Sequence, residues 1–173
     1  MNKILTPEKC ISLLNKVGCT KDVINHSKCV RDLAVLIAKK TNADIKNVEL
    51  GALLHDIGRS KTNGIKHAIE GVKIAKKYNI SSKIIKIIER HIGAGITSEN
   101  AKKLGLPPKD FIPITLEEKI VCHADNLINN NKKQKIENEI EKALKRNQKE
   151  YAMRLIKLHY ELSEICGINL NQL

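Results

Sequence analysis

Leu53-Leu54-His55-Asp56-Ile57-Gly58-Arg59 places two strong metal ligands side by side in an apolar stretch of helical pattern. A buried helix ordinarily carries Leu or Ala at both positions, because a carboxylate and an imidazole withdrawn from water are costly unless a partner or a metal satisfies them. Val48, Leu50, Leu53 and Leu54 lead up to the pair at helical spacing from about Asp44, and Gly58 reads as the stop. The pair therefore falls at a helix C-terminus, and whatever offsets its burial must come from other segments.

Those segments are helical in both directions. Thr6-Pro7-Glu8 is a helix start, with Thr6 as N-cap, and Ile11, Leu13, Leu14 and Val17 follow before Gly18. A second pattern over about 22–40 carries Val23, His26, Val30, Leu33 and Ile37, with His26 on or beside its apolar face. After the pair, Ser60-Lys61-Thr62-Asn63-Gly64 is a polar, basic loop into a helix over about 65–78 that opens with Lys66-His67. From Ser81 a further helix runs through Ile84, Ile85, Ile87 and Ile88 to His91 and breaks at Gly93-Ala94-Gly95. The stretch 98–113, with a short amphipathic turn and Pro107-Pro108, reads as a loop or lid over a pocket. Thr115-Leu116-Glu117-Glu118 is a capping box for the helix that carries Asp125. A basic connection over 129–135 leads to one long helix over about 136–166, and no strand pattern or repeat is visible. The expected fold is all-α: one compact helical bundle over 1–173, with its site core at about 20–130 and a C-terminal helical extension at about 136–166.

Composition fits. With 173 residues the chain suits one domain, and with 42% hydrophobic but only 2% aromatic residues its core must be Leu, Ile, Val and Ala. A formal charge of +12 points to an anionic partner. Three Tyr and one Phe make a poor stacking platform for bases, so a small anionic molecule is favoured over nucleic acid. The five cysteines show no CxxC pair, which argues against a disulfide framework or structural zinc. The start, Met1-Asn2-Lys3-Ile4-Leu5, lacks an apolar signal region, no stretch is a membrane span, and the expectation is a cytoplasmic protein.

His26, His55, Asp56, His67, His91 and Asp125 lie on or beside apolar faces of five helical segments. Imidazole nitrogen with carboxylate oxygen suits Fe, Mn, Ni, Co or Zn better than calcium. Six ligands are too many for one ion that must keep a place for water, whereas two ions sharing Asp56 would use them all. The competing account is a hydrogen-bonded core network, with His67 and His91 at the surface or in support. Asp56 and Arg59 are the candidate catalytic residues. Arg59, Lys61, Lys66 and Arg90 flank the ligands and are candidates for binding substrate, against the plainer reading of solvated or salt-bridged surface. His123 and His159 are assigned no role, since His123 is two residues from Asp125 and faces another side of its helix.

In this order and setting, His26, His55-Asp56 and Asp125 closely resemble the HD-domain superfamily of metal-dependent phosphohydrolases, over roughly residues 20–130. His67 and His91 resemble the two intervening histidines of its binuclear branches. The resemblance implies one ion on His26, His55, Asp56 and Asp125 and a second on Asp56, His67 and His91. Arg59 stands where the deoxynucleotide monophosphatases of the superfamily carry an acid, and the Gly-Tyr-Pro signature of the cyclic-di-GMP branch is absent. The compact binuclear enzymes are closer, among them those that split diadenosine tetraphosphate and archaeal cyclic phosphodiesterases. The implied activity is hydrolysis of a monoester, a 2′,3′-cyclic diester or a dinucleoside polyphosphate. The alternatives are a di-iron oxygenase on the same ligands, or a nucleotide- or RNA-binding module with a structural metal.

Overall fold

The computed structural model describes residues 5–173. Met1 to Ile4, which open the stretch read as lacking a signal region, lie outside the described residues. Helices dominate: α1 (Pro7–Val17), α2 (Lys21–Ala38), α3 (Ile45–Leu54), α4 (His67–Lys77), α5 (Ser82–Arg90), α6 (Ser98–Lys103), α7 (Leu116–Asn126), α8 (Ile136–Lys145) and α9 (Lys149–Cys166). No described helix is long and apolar enough to cross a membrane.

Local chemistry sets the helix starts. The side chains of Thr6, Thr20, Asp44, Thr97 and Thr115 each accept from a backbone N–H three residues on. At Thr115 the capping box is modified, because the Glu118 carboxylate accepts from Ile114 N at 2.8 Å, one residue before the cap.

One apolar cluster joins α2, α3, α7, α8 and α9 through Val30, Ile37, Val48, Ile120, Ile136 and Leu155. A second, with Leu14, Leu53, Leu54, Ile57, Ile84 and Ile88, lies under α1, α3, α4 and α5. The His55-Asp56 segment runs between them, since Ala52 belongs to the first and Leu53, Leu54 and Ile57 to the second. Burial on two sides explains why the residues around the pair are apolar almost without a break.

Gly58 does not end the helix, as the sequence suggested. The helix stops at Leu54, and Gly58 lies inside a 3-10 turn, Ile57–Ser60. Its role is close approach: a Cβ there would sit 1.8 Å from His67 O and 2.5 Å from Gly71 N. The lack of a side chain lets the turn press onto α4 and brings His67 to the site.

Two further expectations are corrected in the C-terminal third. Instead of one helix over 136–166 there are two, folded back on each other at Arg146-Asn147-Gln148, with Asn147 left-handed at φ 57°. The reversal lets Ile136 and Ala143 of α8 join Ala152 and Leu155 of α9 in one core, whereas the helical periodicity of both halves hid the break. The connection 129–135 contains a small antiparallel hairpin, Ile128–Asn129 with Lys132–Lys133. Its turn residues Asn130 and Asn131 have φ of 49° and 59°, as a two-residue hairpin turn requires. Strands of two residues are too short to show alternation. The stretch 98–113 has structure of its own: Ile96 and Phe111 exchange backbone hydrogen bonds, and both pack with Ala101 and Leu106.

Candidate metal centre

The fold brings all six candidate ligands of the sequence to one place. His26 comes from the second turn of α2, His55 from the residue capping α3, and Asp56 from the following 3-10 start. His67 opens α4, His91 caps α5, and Asp125 lies in the last turn of α7. His26 Nε2 is 2.8 Å from Asp125 Oδ1, and His55 Nε2 is 3.5 Å from the same oxygen. On the other side, Asp56 Oδ1 is 3.2 Å from His67 Nε2 and 3.4 Å from His91 Nε2, and those two nitrogens are 2.9 Å apart. Asp56 thus stands between the two halves. Two overlapping groups have ligand atoms close enough to share an ion: His26, His55 and Asp125, and His55, Asp56 and His91.

The proton inventory decides what such a cluster needs. His55 Nδ1 contacts Ala52 O at 2.7 Å, His67 Nδ1 contacts Gly64 O at 2.9 Å, and His91 Nδ1 contacts Ile88 O at 2.8 Å. A carbonyl oxygen can only accept, so each Nδ1 carries the proton, and in the neutral ring each Nε2 is a lone pair. With all three rings neutral, three lone pairs would meet carboxylate oxygens with no hydrogen between them. His55 Nε2 and Asp56 Oδ1 are both buried without a hydrogen-bond partner. Such a set is satisfied by cations or by extra protons, and backbone carbonyls that orient ring nitrogens are the usual support of a metal-binding histidine.

Protonation is uneven. Burial opposes charge at His55, but Asp56 and Asp125 outweigh it and raise its pKa to about 9. At His91 burial wins and its pKa falls, which favours the neutral ring. Burial would raise the carboxyls of Asp56 and Asp125, yet His55 beside both holds them below the usual carboxylate range. The carboxylates are therefore charged and ready to bind a cation.

The flanking basic residues separate. Arg59 reaches the centre, donating from Nε to Asp56 Oδ2 at 2.6 Å and from Nη1 to Asn63 O at 3.3 Å. Arg90 turns away to the buried Glu118, with Nη1 to Oε2 at 2.9 Å. Lys61 and Lys66 are exposed on the loop before α4. His123 and His159 form a separate buried pair, with His123 Nε2 and His159 Nδ1 3.0 Å apart.

The sequence reading missed a cavity of about 1020 Å³ that opens on Asp125. Asn126, which follows that ligand directly, lines it and donates to Gly93 O at 2.6 Å. The far wall comes from the ends of α8 and α9, including Arg146, Tyr151 and Arg154. Of the proposed substrate residues, none of Arg59, Lys61, Lys66 and Arg90 lines it. The cavity depends on the reversal at Asn147, which no local pattern announced.

A helical fold with His and Asp ligands gathered from separated helices defines the class, and the family follows from direct comparison. The chain belongs to the HD domain family, whose model matches residues 23–130. A tRNA (cytidine(56)-2'-O)-methyltransferase of Thermoplasma volcanium is 47% identical over 172 residues, covering 99% of this chain and 51% of that protein. The chain thus spans about half the length of that relative. An uncharacterized protein of Methanocaldococcus jannaschii is 46% identical over 165 residues, covering 91% of this chain and 97% of that one. Among solved structures, the HD domain of the L. monocytogenes phosphodiesterase PgpH superposes with a TM-score of 0.56 over 90% of this chain and 97% of its own. At 19% identity that likeness speaks for the fold alone. Family membership and the clustered His and Asp residues support metal-dependent phosphohydrolase chemistry in general.

Proposed function

We propose that this chain hydrolyses a phosphoester of a nucleotide-like or other small phosphorylated molecule, using one or two divalent transition ions. The observation that carries this reading is the meeting of the Nε2 atoms of His55, His67 and His91, each with its Nδ1 on a backbone carbonyl, with the carboxylates of Asp56 and Asp125. His26, His55, Asp56 and Asp125 would hold one ion and Asp56, His67 and His91 the other, so that Asp56 is shared. The nitrogen and oxygen donors fit Fe, Mn, Ni, Co or Zn. When bound, such ions lower the pKa of water toward neutrality and polarise phosphoryl oxygens.

The chain's own residues do the rest. Asp56 is fixed from outside by Arg59, which spends one guanidinium nitrogen on Oδ2. The remainder of that guanidinium provides positive charge beside the reacting phosphate. Nδ1 contacts to the carbonyls of residues 52, 64 and 88 hold three rings in place before substrate arrives. The methyltransferase name of the Thermoplasma relative suggests that the setting is RNA metabolism, which fits a nucleotide substrate and the charge of +12. Five free cysteines suit a reducing compartment, and we assign the protein to the cytoplasm on that ground.

The deciding experiment loads the metal-stripped protein with Fe(II), Mn, Ni, Co or Zn. Each form is offered a phosphomonoester, a nucleoside 2′,3′-cyclic phosphate and a dinucleoside polyphosphate. Metal-dependent turnover of at least one ester, lost in Asp56→Ala, is the expected result. Oxygen consumption by the iron form with no ester cleaved would replace this reading with an oxygenase. Nucleotide or RNA binding that survives both chelation and Asp56→Ala would replace it with a binding module.

A further inference from the structure

The cavity that opens on Asp125 is closed on one side by residues beyond the 23–130 match, and the chemistry of that wall is uneven. Arg154 lines it, its Nε is buried, and its side chain makes no hydrogen bond or ion pair among the described residues. A guanidinium with no acceptor in the protein leaves its terminal nitrogens free to make charge-assisted bonds to an anion in the cavity. On the same wall, the side chains of Arg146 and Lys149 make no hydrogen bond or ion pair among the described residues.

The acidic wall residues do not cancel this charge. Glu139 is occupied by Lys142 Nζ at 3.1 Å and by the Tyr151 hydroxyl at 3.4 Å. Asp125 is taken up by His26 and His55. Glu150 is exposed. Tyr151 is itself committed: a Cβ on Gly93 would meet its ring at 2.8 Å, so the ring lies directly on that glycine and pins α9 to the loop after His91. With its only tyrosine engaged, the wall offers cations and no free aromatic face, so it reads phosphate and not base. A volume of about 1020 Å³ is at the top of the range of ~300–1,000 Å³ for small-molecule sites, room for more than one nucleotide unit.

We propose that this cavity holds a second phosphate of a nucleotide substrate whose reacting phosphate lies at the Asp125 end, and that Arg154 is the residue that binds it. The assignment of the reacting end rests on the hydrolase reading, while the phosphate site in the cavity does not. The substrate class is thereby narrowed to nucleotides with at least two separated phosphates, such as a dinucleotide or the end of a longer strand.

Calorimetric titration of the metal-loaded full chain with adenosine 3′,5′-bisphosphate, and with AMP as its one-phosphate counterpart, tests this. The bisphosphate should bind more tightly by roughly tenfold or more, as two charge-assisted contacts would give. Arg154→Gln should erase that advantage while its thermal transition stays near that of the parent. Lys157→Ala, which removes an exposed charge from α9 outside the cavity, should preserve it. An advantage that survives Arg154→Gln, or that Lys157→Ala erases equally, overturns the proposal. If the binding pattern holds while no phosphoester is cleaved under any metal, the phosphate site stands and the hydrolase reading falls.

Discussion

His67 Nε2 and His91 Nε2 face each other at 2.9 Å while each ring donates its other nitrogen to a backbone carbonyl. Two neutral rings in that arrangement present lone pair to lone pair, so the contact calls for a cation. His67→Ala and His91→Ala should therefore each lower metal content by about half in elemental analysis under saturating conditions, and Asp56→Ala should lower it further. Unchanged metal in both histidine variants would remove the second ion.

Arg59 touches the site through Asp56, with Nε to Oδ2 at 2.6 Å. Groups that hold a ligand from behind typically matter by ~10- to 100-fold in affinity or activity. Arg59→Ala should reduce kcat/KM for a phosphorylated substrate by about that factor, with metal content measured in parallel to separate the two routes. Kinetics identical to the parent would return Arg59 to a structural role.

The metal-free protein should lose stability as pH rises. Its Asp neighbours raise the folded-state pKa of His55 from 6.5 to about 9. A raised pKa means that the folded form holds the proton more tightly, so the contribution is complete below about pH 6.5 and disappears as pH passes about 9. Metal competes with that proton, so metal affinity should instead increase with pH. Melting curves from pH 6 to 10 (an approximate range, ~4 units) with and without chelator check both signs. A flat metal-free profile would contradict the geometry around His55.

Gly58 and Gly51 should respond differently to alanine. At Gly58 the new carbon would meet backbone at 1.8 Å, whereas at Gly51 it would meet the tip of Ile87 at 2.5 Å. Gly58→Ala should cost about 3 kcal/mol or more, and displace His67 with it, while Gly51→Ala should cost ~1–2 kcal/mol after Ile87 changes rotamer. Denaturant titrations that rank them the other way would show that the approach of the 3-10 turn to α4 is not rigid.

Arg90 is held by buried Glu118, and its removal would leave that carboxylate without its ion-pair partner. Arg90→Ala should cost about 3 kcal/mol, and Glu118→Gln in the same chain should recover part of the loss, because Gln can still accept from Ile114 N. Loss of substrate affinity without loss of stability would favour the substrate role suggested by its position next to His91.

Much of this protein is legible from its amino-acid order. Helix starts follow from Thr and Asp caps, because a cap is a contact across three residues. The six candidate ligands could be named because a charged or imidazole side chain on an apolar helical face is locally anomalous. The separate fates of Arg59 and Arg90 could not be read, since they depend on whether Asp56 or Glu118 is within reach. The role of Gly58 was hidden for the same reason, as its crowding partner is the backbone of another helix. Sequence alone thus determined which polar residues stand on apolar faces and so must find partners away from water. Only the tertiary structure decided how they meet, and it created the Arg154 cavity by reversing the chain at Asn147. Such contacts join residues far apart in the chain, and the free energy that selects them comes from burial of the shared core, not from any local pattern.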